Sequence, residues 1–222
     1  MITEDNFIDF KCPYCREMNS FPQESTGLIR ECVNCMESLI VPEAEGEFGR
    51  PIPLPLTTPR LILRRLEAGD SKDLTGFMFE DEEEALQWLA SQSKVKLTTL
   101  DRVFQLGVQV QDAGKIIGSV GLRFTDYRFV EAEISIEGGL KDESKDFIKE
   151  AVAALLVFCF KQLNLHRVIA RSLNDDPASC ELFAAAGMRR EGEFVKHYFA
   201  NGEWLNTVWF AMLDEECPAA GI

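Results

Sequence analysis

The chain has 222 residues and carries 37 acidic against 23 basic side chains, a formal charge of -14. That length allows one full domain plus a small module, and 46% hydrophobic residues supply ample core material. So acidic a surface repels phosphate backbones and anionic lipid heads, so neither nucleic acid nor membrane is an expected partner. No run approaches the roughly 18 to 20 consecutive apolar residues of a membrane span. The opening Met-Ile-Thr-Glu-Asp-Asn also lacks the basic and apolar regions of a secretion signal, and a cytoplasmic location is expected.

Four of the seven cysteines form two pairs, Cys12-Pro-Tyr-Cys15 and Cys32-Val-Asn-Cys35, separated by 16 residues. A Cys-x-x-Cys turn aims two thiolates at one point, and two such turns facing each other make a tetrahedral sulfur site suited to zinc. The residues after the pairs are Arg16 and Met36, where a glycine would ease the tight turn. Residues 1 to 42 therefore read as a zinc ribbon, with short strands around the cysteine turns and metal binding as the main source of folding free energy. Residues 1 to 50 hold ten acidic and four basic side chains, which favours a protein partner over nucleic acid for this module.

The run from Pro42 to Pro59 holds five prolines and two glycines, a composition that argues against helix and central strand. Residues 43 to 56 are expected to be a semi-extended linker, so that metal loss would unfold the ribbon alone. Beyond it, 61 to 66 reads as a strand, 70 to 79 and 80 to 91 as helices, and 103 to 111, 115 to 124 and 129 to 136 as an antiparallel meander. A helix over 147 to 163, a strand over 166 to 172, a helix over 177 to 186 and two closing strands, 188 to 195 and 206 to 213, complete an α/β domain over residues 57 to 214. Residues 215 to 222 form a tail. Cys159 falls on the apolar face of its helix and reads as a buried thiol, while Cys180 and Cys217 show no partner pattern.

Leu56-Thr-Thr-Pro-Arg-Leu-Ile-Leu-Arg64 resembles the opening of the GNAT N-acetyltransferases of the ribosomal-protein N-terminal (alanine) type. Gly114-Lys-Ile-Ile-Gly118, Ala132-Glu-Ile-Ser-Ile136 and Leu163-Asn-Leu-His-Arg-Val168 follow in the family's order. Asn174-Asp-Asp-Pro-Ala-Ser179, Ala186-Gly-Met-Arg-Arg-Glu-Gly192 and Tyr198-Phe-Ala-Asn-Gly-Glu-Trp204 match its closing third. The resemblance covers residues 56 to 214 and implies a mixed, mostly antiparallel sheet flanked by helices. It also implies transfer of an acetyl group from acetyl-CoA to a protein N-terminus or a small amine.

On that resemblance, the main chain at Ile134 and Ile136 holds the pantetheine, while Ser144, Lys145, Phe147 and Ile148 fall on the phosphate loop, and Asp176 takes the place of a cofactor-contacting asparagine. The loop departs from the family pattern: Asp146 stands at the main glycine and Glu143 at the basic or amide start, and with Asp142 they put three carboxylates where the phosphates are expected. That departure leaves open an alternative, a degenerate domain without CoA that serves as a binding module. For the chemistry, Glu133 and Glu137 share one side of a strand and are candidate bases. Ser179 is the candidate donor to a departing thiolate, because the tyrosine many relatives use is Phe183 here. Tyr198 is a candidate wall of the acceptor pocket, and neither His166 nor His197 has metal-ligand spacing.

Overall fold

The computed structural model describes residues 7–100, 102–138, 144–174, 176–200 and 202–218. The cysteine module contains β1 (Phe7–Lys11), β2 (Met18–Pro22), β3 (Ile29–Glu31) and β4 (Ser38–Ile40). β1 pairs with β2, and β4 lies between β3 and the two-residue β5 (Arg50–Pro51).

An eight-stranded sheet forms the rest. Its strands are β6 (Leu56–Thr57), β7 (Leu61–Arg65), β8 (Phe104–Val110), β9 (Ile116–Phe124), β10 (Glu131–Glu137), β11 (Arg167–Leu173), β12 (Arg189–Ala200) and β13 (Glu203–Leu213), in the order β12-β13-β11-β10-β9-β8-β7-β6. Every neighbouring pair is antiparallel except β10 with β11. That parallel step is bridged by helix α3 (Lys145–Val157), as a parallel connection requires. Among the described residues no helix is long and apolar enough to cross a membrane.

Alternation decides which face each strand buries. On β10, Ala132 and Ile134 are buried while Glu131, Glu133 and Ser135 are only partly covered. The buried side packs on α3 through Ile148, Ala151, Val152 and Leu155, and on α4 (Pro177–Ala185) through Leu182 and Phe183. The opposite side is covered near β7 to β9 by α1 (Ser71–Leu74) and α2 (Glu82–Gln92), whose Leu74, Ala85 and Leu89 close on Ile116.

Local chemistry sets the helix ends. Asp81 caps α2 by accepting from the Glu84 amide at 2.9 Å, and Asp176 caps α4 through the Ser179 amide at 3.1 Å, ahead of Pro177. Only Ser71–Leu74 of the expected helix over 70 to 79 is α-helical, following a 3-10 turn over Ala68–Asp70; Thr75 turns extended and Gly76 takes the left-handed region at φ +92°. The expected helix over 147 to 163 is α-helical only to Val157. Phe158–Gln162 widens into a π turn that the Leu163 amide closes on the Phe158 carbonyl at 3.1 Å.

The segment 43 to 56 is packed rather than free. Arg50–Pro51 adds to the edge of β4, Leu56–Thr57 adds to β7, and Ile52, Leu54 and Leu56 lie against the main core. Pro51 sits in an edge strand, where a missing N–H costs no ladder bond, and Pro53 and Pro55 lie between the strands. The cysteine module is likewise joined to the sheet domain. Its own core is small, Ile8, Phe10, Leu39 and Val41 around Cys12 and Cys32, whereas Ile29 and Ile40 belong to the main core. Polar contacts reinforce the seam. Thr98 donates to Glu31 at 2.6 Å and lies 2.9 Å from the Ser38 hydroxyl, Lys96 donates to the Met36 carbonyl at 2.6 Å, and Arg30 donates to the Arg128 carbonyl at 3.0 Å.

Truncating a module residue that is buried in the main core should therefore weaken the whole chain. Ile40→Ala is expected to cost about 2 to 5 kcal/mol. In calorimetry the single transition should move down intact. A low-temperature shoulder with an unmoved main peak would show instead that the module unfolds alone.

Candidate functional site

The four sulfur atoms of Cys12, Cys15, Cys32 and Cys35 converge, all lying within 4.8 Å of one another. Each pair sits in the same kind of turn. The Arg16 amide closes on the Cys12 carbonyl and the Met36 amide on that of Cys32, both at 3.0 Å, and the amides two residues after Cys12 and Cys32 point at their sulfurs at 3.4 Å. Arg16 and Met36 take left-handed φ values of 65° and 60°, so the turn forms without the glycines. Asn19 joins the two halves, donating to Cys32 Sγ at 3.5 Å and accepting from the Val33 amide at 2.9 Å. Burial opposes ionisation of Cys32, but the amides of Cys35 and Asn34, the Asn19 side chain and Cys12 outweigh it and bring the thiol down to about 6. Four thiolates in this geometry match a tetrahedral soft-metal site.

A second feature lies in the sheet. The β10–β11 ladder ends at Ile134 opposite Ala170. Beyond that point Ser135–Glu137 stays paired with β9 and Arg171–Leu173 stays paired with β13. The two strands part, and their facing main-chain groups have no ladder partner. Ile134 is buried toward α3 and Ile136 packs against the same core, so these two offer their backbone to the wedge and not their side chains.

At the helix end of the wedge, Ser144 makes no side-chain cap, Lys145 reaches Glu181 at 2.9 Å, and Phe147 lies under the Arg60 guanidinium at 4.6 Å. Ile148 is not available to a ligand phosphate, because its side chain is in the core and its amide donates to the Ser144 carbonyl at 3.0 Å. The expected loop residues Asp142 and Glu143 lie outside the described residues. Thr58 and Arg60 clamp Glu150 of α3, Arg60 at 2.6 Å, which ties the opening motif to the helix flanking the wedge. The partners also hold the Glu150 carboxyl below its usual range, against the opposing effect of burial.

The polar sheet face separates the candidate bases. Glu133 is committed to two guanidiniums: Arg171 grips both of its oxygens at 2.6 and 2.7 Å, and Arg123 donates to the second. Glu137, two rows further along, has no hydrogen bond or ion pair among the described residues. It keeps an exposed edge, yet partial loss of water pushes its carboxyl above the ordinary range. Nearby, Met78 in the α1–α2 connection lies 3.8 Å from the Ser119 hydroxyl. The ring of Phe77 leaves no room for a side chain at Gly138, where a Cβ would come within 2.2 Å of it.

Ser179 lies in the first turn of α4, largely buried, with its amide bound to Asp176 and no hydrogen bond to its hydroxyl among the described residues. Asp176 thus acts as a helix cap. Phe183 is in the core against Phe210. Tyr198 stands exposed on β12 with no hydrogen bond among the described residues. His166 pairs with Asp214 at 3.3 Å, and His197 lies 3.1 Å from the Thr207 hydroxyl. Cys159 is fully buried and its thiol is pushed far up by burial. An open groove of about 570 Å³ between Pro53, Pro55, Pro59 and Phe158 has no titratable group in its lining and lies apart from this chemistry.

Sequence reasoning did not single out Arg123, Arg171 or Trp209. Arg171 packs over Trp209 at 5.4 Å. The available signal was a charged residue at alternate positions on both sides of the wedge, which becomes a cluster only once strand register is known.

The model of the acetyltransferase (GNAT) domain family matches residues 60–189. The chain is 38% identical to the uncharacterized N-acetyltransferase YnaD of Bacillus subtilis over 74 residues, 33% of this chain and 44% of that protein. It is 28% identical to the spermidine N(1)-acetyltransferase of Vibrio cholerae over 67% of this chain and 90% of that one. The crystal structure of a GNAT-family acetyltransferase from Bacillus anthracis superposes with a TM-score of 0.62 at 23% identity, covering 73% of this chain and 99% of that one, which shows a shared fold. The family match spans more than half of the chain, from β7 to the start of β12 and across the wedge, and the protein belongs to the GNAT acetyltransferase family.

Proposed function

We propose that this protein is an N-acetyltransferase that moves an acetyl group from acetyl-CoA to a primary amine, either a protein N-terminus as in the ribosomal-protein type or a small molecule. The carrying observation is the parting of β10 and β11 with Glu137 at its mouth, a carboxyl without a partner among the described residues. The unpaired main chain of Ser135–Glu137 fits a pantetheine amide chain, and Ser144 and Lys145 at the start of α3 would face its phosphates. Acetyl-CoA bound there would supply the activated thioester.

Glu137 is the group that takes the proton from the incoming amine, directly or through a water. Among the described residues it has no competing cation, and its raised pKa brings it toward the range of a working base. Glu133 is a poor base, since two guanidiniums stabilise its ionised form. Ser179 carries the proton on the opposite side, at the start of the helix that follows β11. Main-chain N–H groups at the wedge are the polarising donors.

The cysteine centre is proposed to hold one zinc as a structural site, with docking of a protein partner as a further role of that module. Its fusion with the main core supports an extension of the catalytic domain over a freely tethered module.

Calorimetry and thermal shift with acetyl-CoA test the central claim: stabilisation is expected, and neither heat nor stabilisation at millimolar ligand would end it. Glu137→Gln should lower turnover by about 100-fold or more and remove the acidic limb of the pH profile. A base must be unprotonated, so activity rises as pH passes its pKa, and burial sets that limb above an ordinary carboxylate's. Ser179→Ala should lower kcat by about 10- to 100-fold with little change in acetyl-CoA affinity. Metal analysis should find about one zinc per chain, and its chelation should lower the melting temperature of the entire chain, not of residues 1 to 42 alone.

A further inference from the structure

The polar sheet face beside the wedge is organised by charge. Strand register places Gln105, Gly121 and Ser135 in one row across β8, β9 and β10, with Arg123 and Glu133 in the row behind. Arg171 is the first β11 residue past the end of the β10–β11 ladder, so it flanks the wedge mouth across from Ser135. Two guanidiniums share one carboxylate here, Glu133, a local excess of one positive charge. The next ion cluster on this face is the reverse: Arg167 and Arg189 meet Glu131, Glu191 and Glu216. Under Arg171 lies Trp209, whose indole Nε1–H is buried with no partner among the described residues, and the Ser135 hydroxyl is likewise unpaired among them. Gly121 keeps the floor open, since a Cβ there would come within 2.4 Å of Ser135 Oγ.

We infer that the acceptor is a zwitterion: a primary amine whose nitrogen meets Glu137 and whose carboxylate docks on Arg171, while Arg123 in the row behind shares the Glu133 countercharge. This deepens the acetyltransferase reading and rests on it. Glu137 and Ser135 are two residues apart on an extended strand, about 7 Å. That span exceeds the separation of amine and carboxylate in a free α-amino acid, and matches a peptide N-terminus followed by an acidic side chain or an ω-amino acid of similar length. A polyamine would set its second ammonium against Arg171. The acidic total charge of the chain does not override this, because charges beyond a Debye length of about 8 Å are screened in physiological salt.

The test measures acceptor binding to the full-length, metal-loaded protein by calorimetry with CoA present. The probes are the amidated peptides Ala-Glu-Ala and Ala-Lys-Ala, 5-aminopentanoate and spermidine. The acidic peptide, 5-aminopentanoate or both should bind about tenfold or more tighter than the lysine peptide and spermidine, the scale of one charge-assisted contact. The winning acidic probe identifies the acceptor as peptide or small molecule. Arg171→Gln should abolish the preference, Arg171→Lys should retain part of it, and Glu133→Gln should strengthen it by freeing both guanidiniums. A merely structural triad would lose affinity in all three variants alike, and that pattern would overturn the inference, as would equal or tighter binding of spermidine. Binding is read without turnover. A chain that prefers the acidic probe but binds no acetyl-CoA would therefore support this inference and overturn the acetyltransferase reading.

Discussion

A parallel neighbour in an otherwise antiparallel sheet sets a geometric problem that the chain solves by letting two strands separate. β10 and β11 share only four residues of ladder, Glu131–Ile134 against Arg167–Ala170, and each then follows its outer neighbour. Much of the molecule is arranged around that divergence. The parallel step needs a crossover, which is α3. The crossover helix is fixed to the opposite edge of the sheet by Glu150 against Thr58 and Arg60, which stops α3 from swinging into the gap. Polar main chain that would be costly if buried dry is left facing a space a ligand can fill.

The same divergence sorts the charges. Where the ladder is intact, acids and guanidiniums on neighbouring strands face each other and neutralise, as Glu131 and Arg167 do at 3.0 Å. Past its end, the pairing between β10 and β11 is lost, and among the described residues the Glu137 carboxyl has no partner. Chemical availability at this site thus follows from backbone pairing more than from residue type. Glu133 and Glu137 are the same amino acid on the same face of the same strand, and the Arg123 and Arg171 side chains make them different reagents.

The fold was legible because alternation and turn residues along 103–136 and 166–213 carry strand signals that tertiary contacts reinforce. The cysteine knuckles were legible from spacing alone. The segment 43–56 was misread because proline density argues against central strands but not edge ones, and whether an edge is available is a tertiary fact. The helix over 70–79 failed at Thr75 and Gly76, where an extended residue and a left-handed turn outweigh the surrounding helical pattern. At the site, Glu133 and Glu137 were visible as a pair, but nothing local distinguishes them. Their difference comes from Arg123, ten positions earlier, and Arg171, 38 positions later, which only the register brings together. Ile148 looked like a loop residue because the position of the helix start decides whether its amide is spent inside the helix.

The two knuckle turns carry a last consequence. Arg16 and Met36 hold a backbone conformation that costs a non-glycine residue roughly 1 kcal/mol or more each. In a segment with so small a core of its own, that cost has to be met by what the turns enclose. If the proposed zinc gathers the four thiolates, the strain becomes a bias toward opening that the metal opposes. A ribbon built with glycines would carry no such cost, so on the proposed zinc reading this one depends more on its metal. Because Ile29 and Ile40 reach into the main core, loss of the turns would be felt by the strands beneath. On the proposed zinc reading, the two side chains would thereby couple the stability of the main core to the occupancy of the cysteine turns.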